Sequence, residues 1–474
     1  MENGGFGEDI YFDELFCGWS VRPSRLWVGS LHRDILVDAE RRIKFIITPL
    51  GSAGDVHPLV WLGRLLRDAG HEVVMIAQEV VADMPRRAGL RTVPYGDRAE
   101  QEKLIEHPHL WHPRKGFELL ASWVPRWARE AMPVIRREIV PWETVMIGGA
   151  LAFGSRVLSE AMDVPLLTVH LQPQVFLSVE ESPVAAAGAE WMVKAPRWVR
   201  KGVMGLVHMQ VDRKLKRPIN GLRREAGPAG EDPVRGIMRY WWNSPDGVIC
   251  LFPEWYARKV QDWPEQAVLT RFPLYDESDV RPASERLEAF LRAGEAPVVI
   301  TPGSANVQSR RFIGESLAAC AAIRKRAVVV TRQVDQLPRR LPAGVEAYDY
   351  LAFSRIFPRA AAVIHHGGIG TTAQCFAAGV PQLMMPMAHD QPDNAARVKR
   401  LGVGDYLYPR MFKWQRVAKV LKGMMGSEEV RTACEGVKRK VSEQMPPGAV
   451  TQIVNEIAER ALRIRQINGP GVPC

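Results

Sequence analysis

The chain has 474 residues, 46% of them hydrophobic and 24% charged, which is material for two domains of ordinary size and too much for one. A net charge of +10 and a pI near 9.4 suit anionic partners such as nucleotide phosphates or acidic lipid, while the lack of zinc-finger spacing, RNA-binding aromatic motifs and long Lys/Arg runs argues against nucleic acid. Six scattered cysteines without a CxxC pair point to free thiols in a reducing cytosol; no apolar run reaches the roughly 18 residues of a membrane span, and the acidic opening MENGGFGEDIYFDELF does not read as a secretory leader.

Residues 1–42 show no clear amphipathic period and read as an appendage. The first domain, 43–275, opens with the β-branched strand IKFIITPL, followed by the turn GSAGDVHP. Pro58 fits the first turn of a helix, LVWLGRLLRDAG continues it until Gly70, and HEVVMIA is a second strand. Asp55 and His57 have two readings here, as caps of this helix or as groups facing a ligand. Further on, TVMIGGALAFGSRVLSEAMDVPLLTVHLQP reads as strand, helix and strand, with His170 and Gln172 at its end as pocket candidates. Residues 187–224 mix Trp, Met and Val with many basic residues. That stretch is either a solvated helical face over an ordinary core or a surface that leans on an anionic membrane to fetch a lipid acceptor; Trp123, Arg126, Trp127, Arg136 and Arg137 would extend it. The Pro-rich, polar stretch 271–285 reads as the linker.

The second domain, 276–460, begins with the strand PVVI and a small-residue turn that carries Ser304, then the helix RFIGESLAACAAIRK and the strand AVVVTR. Its central stretch is 361–397. An apolar strand runs into His365 and His366, then a turn with glycines at 367, 368 and 370 leads to Thr371, Thr372 and a helix. A second strand, QLMMPM, ends on His389, Asp390 and Gln391. Glycines let backbone N–H groups approach a ligand, and a helix N-terminus carries unpaired donors and partial positive charge, so the turn favours phosphate oxygens. Two polar strand ends at one rim match the place where open α/β sheets bind ligands. After Pro409, MFKWQRVAKVLKGMMGSEEVRTACEGVKRKVSEQ and AVTQIVNEIAERALRIRQ read as helices by their apolar spacing; the domain division nonetheless sets 461–474 apart as a C-terminal tail, with NGPGVPC as its frayed end.

The stretch HHGGIGTTAQCFAAGVPQLMMPMAHDQ resembles the nucleotide-sugar signature of family 1 glycosyltransferases, inverting enzymes of the GT-B fold. The resemblance implies an α/β protein of two facing Rossmann-like domains with parallel sheets, acceptor bound mainly by the first and donor by the second. GSAGDVHPLVWLGRLLRDAGHEV resembles the G-x-x-G-D-V-x-P opening of bacterial members, which makes Asp55 the general base and leaves His57 in reserve. HPHLWHP and the segment Gly148 to Pro173 are similar to the acceptor domain of bacterial rhamnosyltransferases.

By the same resemblance, Ser52 and Gly54 lie along the nucleotide-sugar, Ser304 and His366 meet the diphosphate, and Tyr350 and Leu351 hold the nucleobase. Gly368, Gly370, Thr371 and Thr372 would supply donors to the leaving group, while Asp390 and Gln391 would grip sugar hydroxyls. Many users of uridine nucleotides carry Glu where this chain has Gln374, and an amide bonds a ribose diol less strongly than a carboxylate does. Gln374 therefore leaves room for a dTDP-sugar beside a UDP-sugar. The chain has no Asp-x-Asp pair, so metal-independent transfer is expected, with the nucleotide-sugar a co-substrate and no cofactor. The sequence thus reads as a cytoplasmic glycosyltransferase acting on a lipid-like or small hydrophobic acceptor, with peripheral membrane contact as the functional reading of 187–224. The alternatives are a nucleotide-sugar epimerase and a non-catalytic nucleotide-sugar-binding partner subunit.

Overall fold

The computed structural model describes residues 42–112, 115–227, 232–282, 284–303 and 309–469. The extension expected at 1–42 therefore falls, except for its last residue, outside the described residues, as does Ser304. Strands β1 (Lys44–Thr48), β2 (Glu72–Gln78), β3 (Arg91–Tyr95), β4 (Thr144–Gly149), β5 (Leu166–His170), β6 (Gly247–Cys250) and β7 (Ala267–Leu269) form one sheet in the order β3-β2-β1-β4-β5-β6-β7. Strands β8 (Val298–Thr301), β9 (Ala327–Val330), β10 (Val345–Tyr348), β11 (Ala362–His365), β12 (Gln382–Met384) and β13 (Gly404–Tyr406) form a second in the order β10-β9-β8-β11-β12-β13. All neighbouring strands are parallel. Parallel strands need crossover connections that cover both faces of the sheet, which is why β1, β8 and β11 are nearly continuous apolar runs buried throughout.

Register sets where chemistry can sit. In the second sheet His365 pairs with Thr301 on one side and Met384 on the other, so the turns after β8, β11 and β12 leave from one rim. In the first, Thr48 at the end of β1 pairs with Gly148, and the turn after β1 carries Gly51, Ser52 and Asp55.

The two lobes share packing. Trp255, Tyr256 and Phe272 meet Phe376 with ring centroids 5.7, 6.0 and 6.1 Å away. Tyr256 donates its hydroxyl to Asn394 Oδ1 at 2.8 Å, and the buried Arg397 bonds Asp393 at 2.8 Å and Glu181 at 2.7 Å. The linker stretch is knitted in: Phe272 is buried, and Asp276 and Glu277 are 7% and 1% exposed.

Two expectations are corrected. The helix Pro447–Asn468 runs through most of the segment expected as a tail. Its Val450, Val454, Ala458 and Leu462 pack into the core under β1, and Arg465 bonds both carboxylate oxygens of Asp246 at 2.8 and 3.0 Å. Trp127 is 5% exposed inside the first-lobe core, with Trp123 partly buried against it, so these two do not extend an open surface, while Arg126, paired to Glu100 and Glu130, and Arg136 and Arg137 are exposed.

Leu462 is 1% exposed and remote from both rims. Leu462→Ala is expected to cost about 3 kcal/mol, the range for a buried leucine left as a cavity, read from the urea midpoint; a cost below about 0.5 kcal/mol, typical of surface sites, would mean that this stretch is a tail after all.

Candidate active site

On the first-lobe side, helix Ala53–Asp68 is capped by Ser52, and Asp55 sits in its first turn. Asp55 Oδ2 accepts from the Ser52 N–H at 2.8 Å and the Ser52 hydroxyl at 3.2 Å. A Cβ on Gly51, whose φ is +126°, would lie 2.3 Å from that oxygen, so only glycine lets the carboxylate fold back to its cap. Asp55 Oδ1 finds no partner among the described residues. Burial, opposed by the Ser52 bonds and reinforced by Asp390 across the cleft, pushes the carboxyl up to about 6. A helix N-terminus by itself would lower it, so desolvation wins here. His57 turns elsewhere: its Nε2 lies 3.0 Å from Glu277 Oε1, and Glu277 also binds Arg87 and Arg281. A reserve base at His57 is not what this geometry offers; the ring ties the helix to the linker. Gly54 is exposed, and a Cβ there would meet only the Ser52 hydroxyl, at 3.6 Å.

On the second-lobe side, His365 Nδ1 accepts from the Gly367 N–H at 3.1 Å, so the proton sits on Nε2 and is donated to Gln382 Oε1 at 3.0 Å. That histidine is fully buried and braces the turn. His366 is different. Its ring is clamped between Gly303 and Gly368, where a Cβ on either would lie 2.5 or 2.6 Å from ring atoms. Burial lowers its pKa to about 4, making it neutral near pH 7, and its Nδ1 is buried with no partner among the described residues. Helix Ile369–Ala378 starts beside it, and the first N–H groups of a helix have no acceptor within it. The Ile369 N–H lies near Asp390 and opposes the rise of its carboxyl, and the N–H groups of Gly370 and Thr371 have no acceptor within the helix. Thr372, expected among the diphosphate donors, is instead buried and bonds the Gly368 carbonyl at 3.0 Å.

Asp390 accepts from Asn394 Nδ2 at 2.7 Å, and burial pushes its carboxyl up to about 6. Gln391 is 1% exposed and its Oε1 accepts from the Met387 N–H at 2.8 Å; this amide shapes the loop, and in this conformation it does not reach out for sugar hydroxyls. Gln374 is also buried and donates to the Leu274 carbonyl of the linker at 3.2 Å. Tyr350 gives its hydroxyl to the Asp276 carbonyl, and the Arg281 guanidinium covers its ring at 4.0 Å. With Leu351, Ala352, Pro282 and Leu287 it lines a cavity of about 50 Å³. His170 is fully buried against Asn243 Oδ1 at 2.7 Å, so it is core rather than cleft wall, while the half-buried Gln172 has a buried Oε1 without a partner among the described residues.

The structure therefore brings together Asp55 from the first lobe with His366, Gly368, Gly370, Thr371 and Asp390 from the second. It adds His389 and Trp111, which sequence reasoning did not assign. His389 lies within electrostatic reach of Asp55, and the Trp111 ring centroid is 5.5 Å from that of His389 and 6.4 Å from that of His366. Two carboxyls poised near neutrality, one with a free oxygen, face a neutral imidazole and a helix N-terminus. Such a cleft can take a proton from a hydroxyl and hold an anion opposite it.

Residues 315–457 match the family model of the erythromycin biosynthesis protein CIII-like C-terminal domain. The chain is 30% identical over 389 residues to O-mycaminosyltylonolide 6-deoxyallosyltransferase of Streptomyces fradiae, covering 76% of this chain and 84% of that one. Among solved structures, the glycosyltransferase of kitacinnamycin aligns with a TM-score of 0.68 at 19% identity, covering 88% of this chain and 100% of that one. Spinosyn rhamnosyltransferase SpnG complexed with thymidine diphosphate aligns at 0.63 and 18%, with 87% and 100% covered. The chain belongs to the family 1 glycosyltransferases and has their GT-B fold.

Proposed function

We propose that this glycosyltransferase moves a hexose from a nucleoside diphosphate sugar to the hydroxyl of a small hydrophobic or lipid-like acceptor, inverting the anomeric centre, with Asp55 as the base. The observation that carries the reading is the Asp55 carboxylate: one oxygen held by Ser52, the other open, and the group facing Asp390 across the cleft. In the step, the acceptor oxygen bonds to the anomeric carbon as its proton passes to Asp55 Oδ1. The anomeric C–O bond breaks, and its electrons leave with the diphosphate. The growing charge on the diphosphate would meet the N–H groups of Gly370 and Thr371, the Thr371 hydroxyl and one N–H of the neutral His366, donors already in place before reaction. This assigns no role to a divalent ion, in keeping with a sequence that lacks an Asp-x-Asp pair.

A dTDP-sugar is the favoured donor. Gln374 is taken by the linker rather than offering a carboxylate to a ribose diol, and one structural relative is complexed with thymidine diphosphate. A hydrophobic acceptor suits the wall beside the Asp55 turn, where Pro49, Leu50, Tyr95, Trp127, Leu151 and Phe153 surround a small cavity. Names among the relatives also speak of natural-product glycosylation.

Membrane contact is the further part of this reading. Along helix Arg197–Ala226 the exposed Trp198, Leu206 and Met209 follow one face, with exposed Trp191 nearby. Lys194, Lys201 and Arg213 are exposed and have no acidic partner among the described residues. Charge complementarity picks an anionic lipid surface as the occupant. Among the described residues no helix is long and apolar enough to cross a membrane, so contact would be peripheral.

Asp55→Asn is expected to lower transfer about 10³-fold, within the range for removal of a general base, while still gaining melting temperature with a dTDP-sugar as a donor-binding protein should; turnover at the wild-type rate would contradict the assignment. Because the base works ionised and its carboxyl sits at about 6, transfer should fall as pH drops through that value and level off above it. Vesicles containing phosphatidylglycerol should pull down the protein in low salt but not the Trp198→Ala, Lys201→Glu double variant, and an absence of binding by wild type would remove the membrane contact.

A further inference from the structure

We propose that Trp111 is a positioning residue for transfer, the tip of an inter-lobe clasp that closes over the donor between His366 and His389 and keeps water from the anomeric carbon. The inference rests on the sugar-transfer reading above.

The clasp is residues 107–112, between helices Arg98–Ile105 and Lys115–Glu138 of the first lobe. Bonds from the Leu110 N–H to the His107 carbonyl and from the His112 N–H to the His109 carbonyl, both 3.0 Å, fold it into tight turns. Gly116 makes room behind it, since a Cβ there would lie 2.4 Å from the Leu110 carbonyl oxygen. That oxygen accepts a hydrogen bond from His389 Nε2 at 3.1 Å, joining the lobes. The indole then lies edge-on to two rings of the other lobe, at 70° to His389 and 74° to His366.

Those histidines follow adjacent strands, β12 and β11, so a ring touching both spans the rim along which diphosphate and sugar would lie. His389 holds φ at +59°, a left-handed conformation unfavourable for a non-glycine residue that persists only where neighbours fix it. The ring contacts of Trp111 with His366 and His389 join a first-lobe loop to two second-lobe turns.

Closing such a ring over the site removes water from around the anomeric carbon and the Asp55 carboxylate. The competing reaction is hydrolysis, in which a water oxygen bonds to the anomeric carbon, the C–O bond to the diphosphate breaks, and the surplus proton goes to Asp55. A clasp that admits the acceptor hydroxyl and excludes water sets the partition between the two.

The test measures, for full-length wild type, Trp111→Ala, Trp111→Phe and Gly116→Ala, how much sugar from a dTDP-hexose reaches acceptor and how much reaches water. Trp111→Ala should slow transfer about tenfold, raise the hydrolysed share severalfold, and move the acid limb of the rate to lower pH as water reaches Asp55. Trp111→Phe should restore most of the partition, and Gly116→Ala, which displaces the Leu110 carbonyl with the indole intact, should mimic Trp111→Ala. Melting temperatures near wild type separate this from loss of fold, and if Trp111→Ala does not fold, Gly116→Ala decides. An unchanged hydrolysed share and acid limb in the folded variants overturns the clasp, and the transfer reading survives if Asp55→Asn still abolishes transfer. A wild type that transfers no sugar overturns both.

Discussion

Two buried carboxyl groups from different lobes lie within electrostatic reach of each other, and the rest of the site is arranged around them. Asp55 and Asp390 come from different lobes, each is pushed up to about 6 mainly by burial, and Asp390 adds to the rise at Asp55. Such a pair is unfavourable for folding at neutral pH, and the structure offsets it with short local bonds: Ser52 holds one oxygen of Asp55, while Asn394 and the Ile369 N–H hold Asp390. What is left unsatisfied is one carboxylate oxygen opposite a rim of free N–H groups. That remainder of unmet bonding capacity is where a substrate hydroxyl and an anionic leaving group gain most.

Glycine does much of the positioning. At 51 it admits the Asp55 carboxylate, at 303 and 368 it admits the His366 ring, and at 116 it admits the Leu110 carbonyl. In each case the missing side chain brings a polar group to a place from which a Cβ would exclude it. The lobes are kept in register by the aromatic contacts around Phe376, by Arg397 among its acids, and by the linker cluster in which Glu277 gathers His57, Arg87 and Arg281. His57, two residues from Asp55, thereby connects the helix bearing the base to the segment between the lobes.

Apolar runs followed by glycine turns made the inner strands of both sheets legible in the sequence, because parallel strands buried on two faces leave no room for polar residues, whereas the shorter or more polar β3, β6, β7, β10 and β13 were not read. The turn bearing His366 was legible for a related reason, since closely spaced glycines before a helix mean close approach of backbone to something. Gln374, Gln391, Thr372 and His57 have protein partners that the sequence did not show, for one shared reason. Their side chains bond equally well to a ligand or to the protein itself, and only the folded arrangement reveals that Leu274, Met387, Gly368 and Glu277 claim them. Trp111 lay in a noticed stretch yet carried no assignment, because the contact that gives it meaning joins Leu110 to His389, 279 positions apart. The apolar spacing of the last helix was legible through residue 466, but the tail boundary at 461 fell inside it, because the core that buries Leu462 belongs to the far end of the sequence.

The account turns on Asp55 facing the donor rim closely enough to feel Asp390, and the pH dependence of transfer by Asp390→Asn, at saturating donor and beside wild type, examines that directly. Neutralising Asp390 removes the repulsion while leaving Asp55 in place, so the acid limb should persist and move below the wild-type position near 6. A limb that stays where it was, or vanishes with Asp390, would contradict the arrangement and with it the assignment of the base.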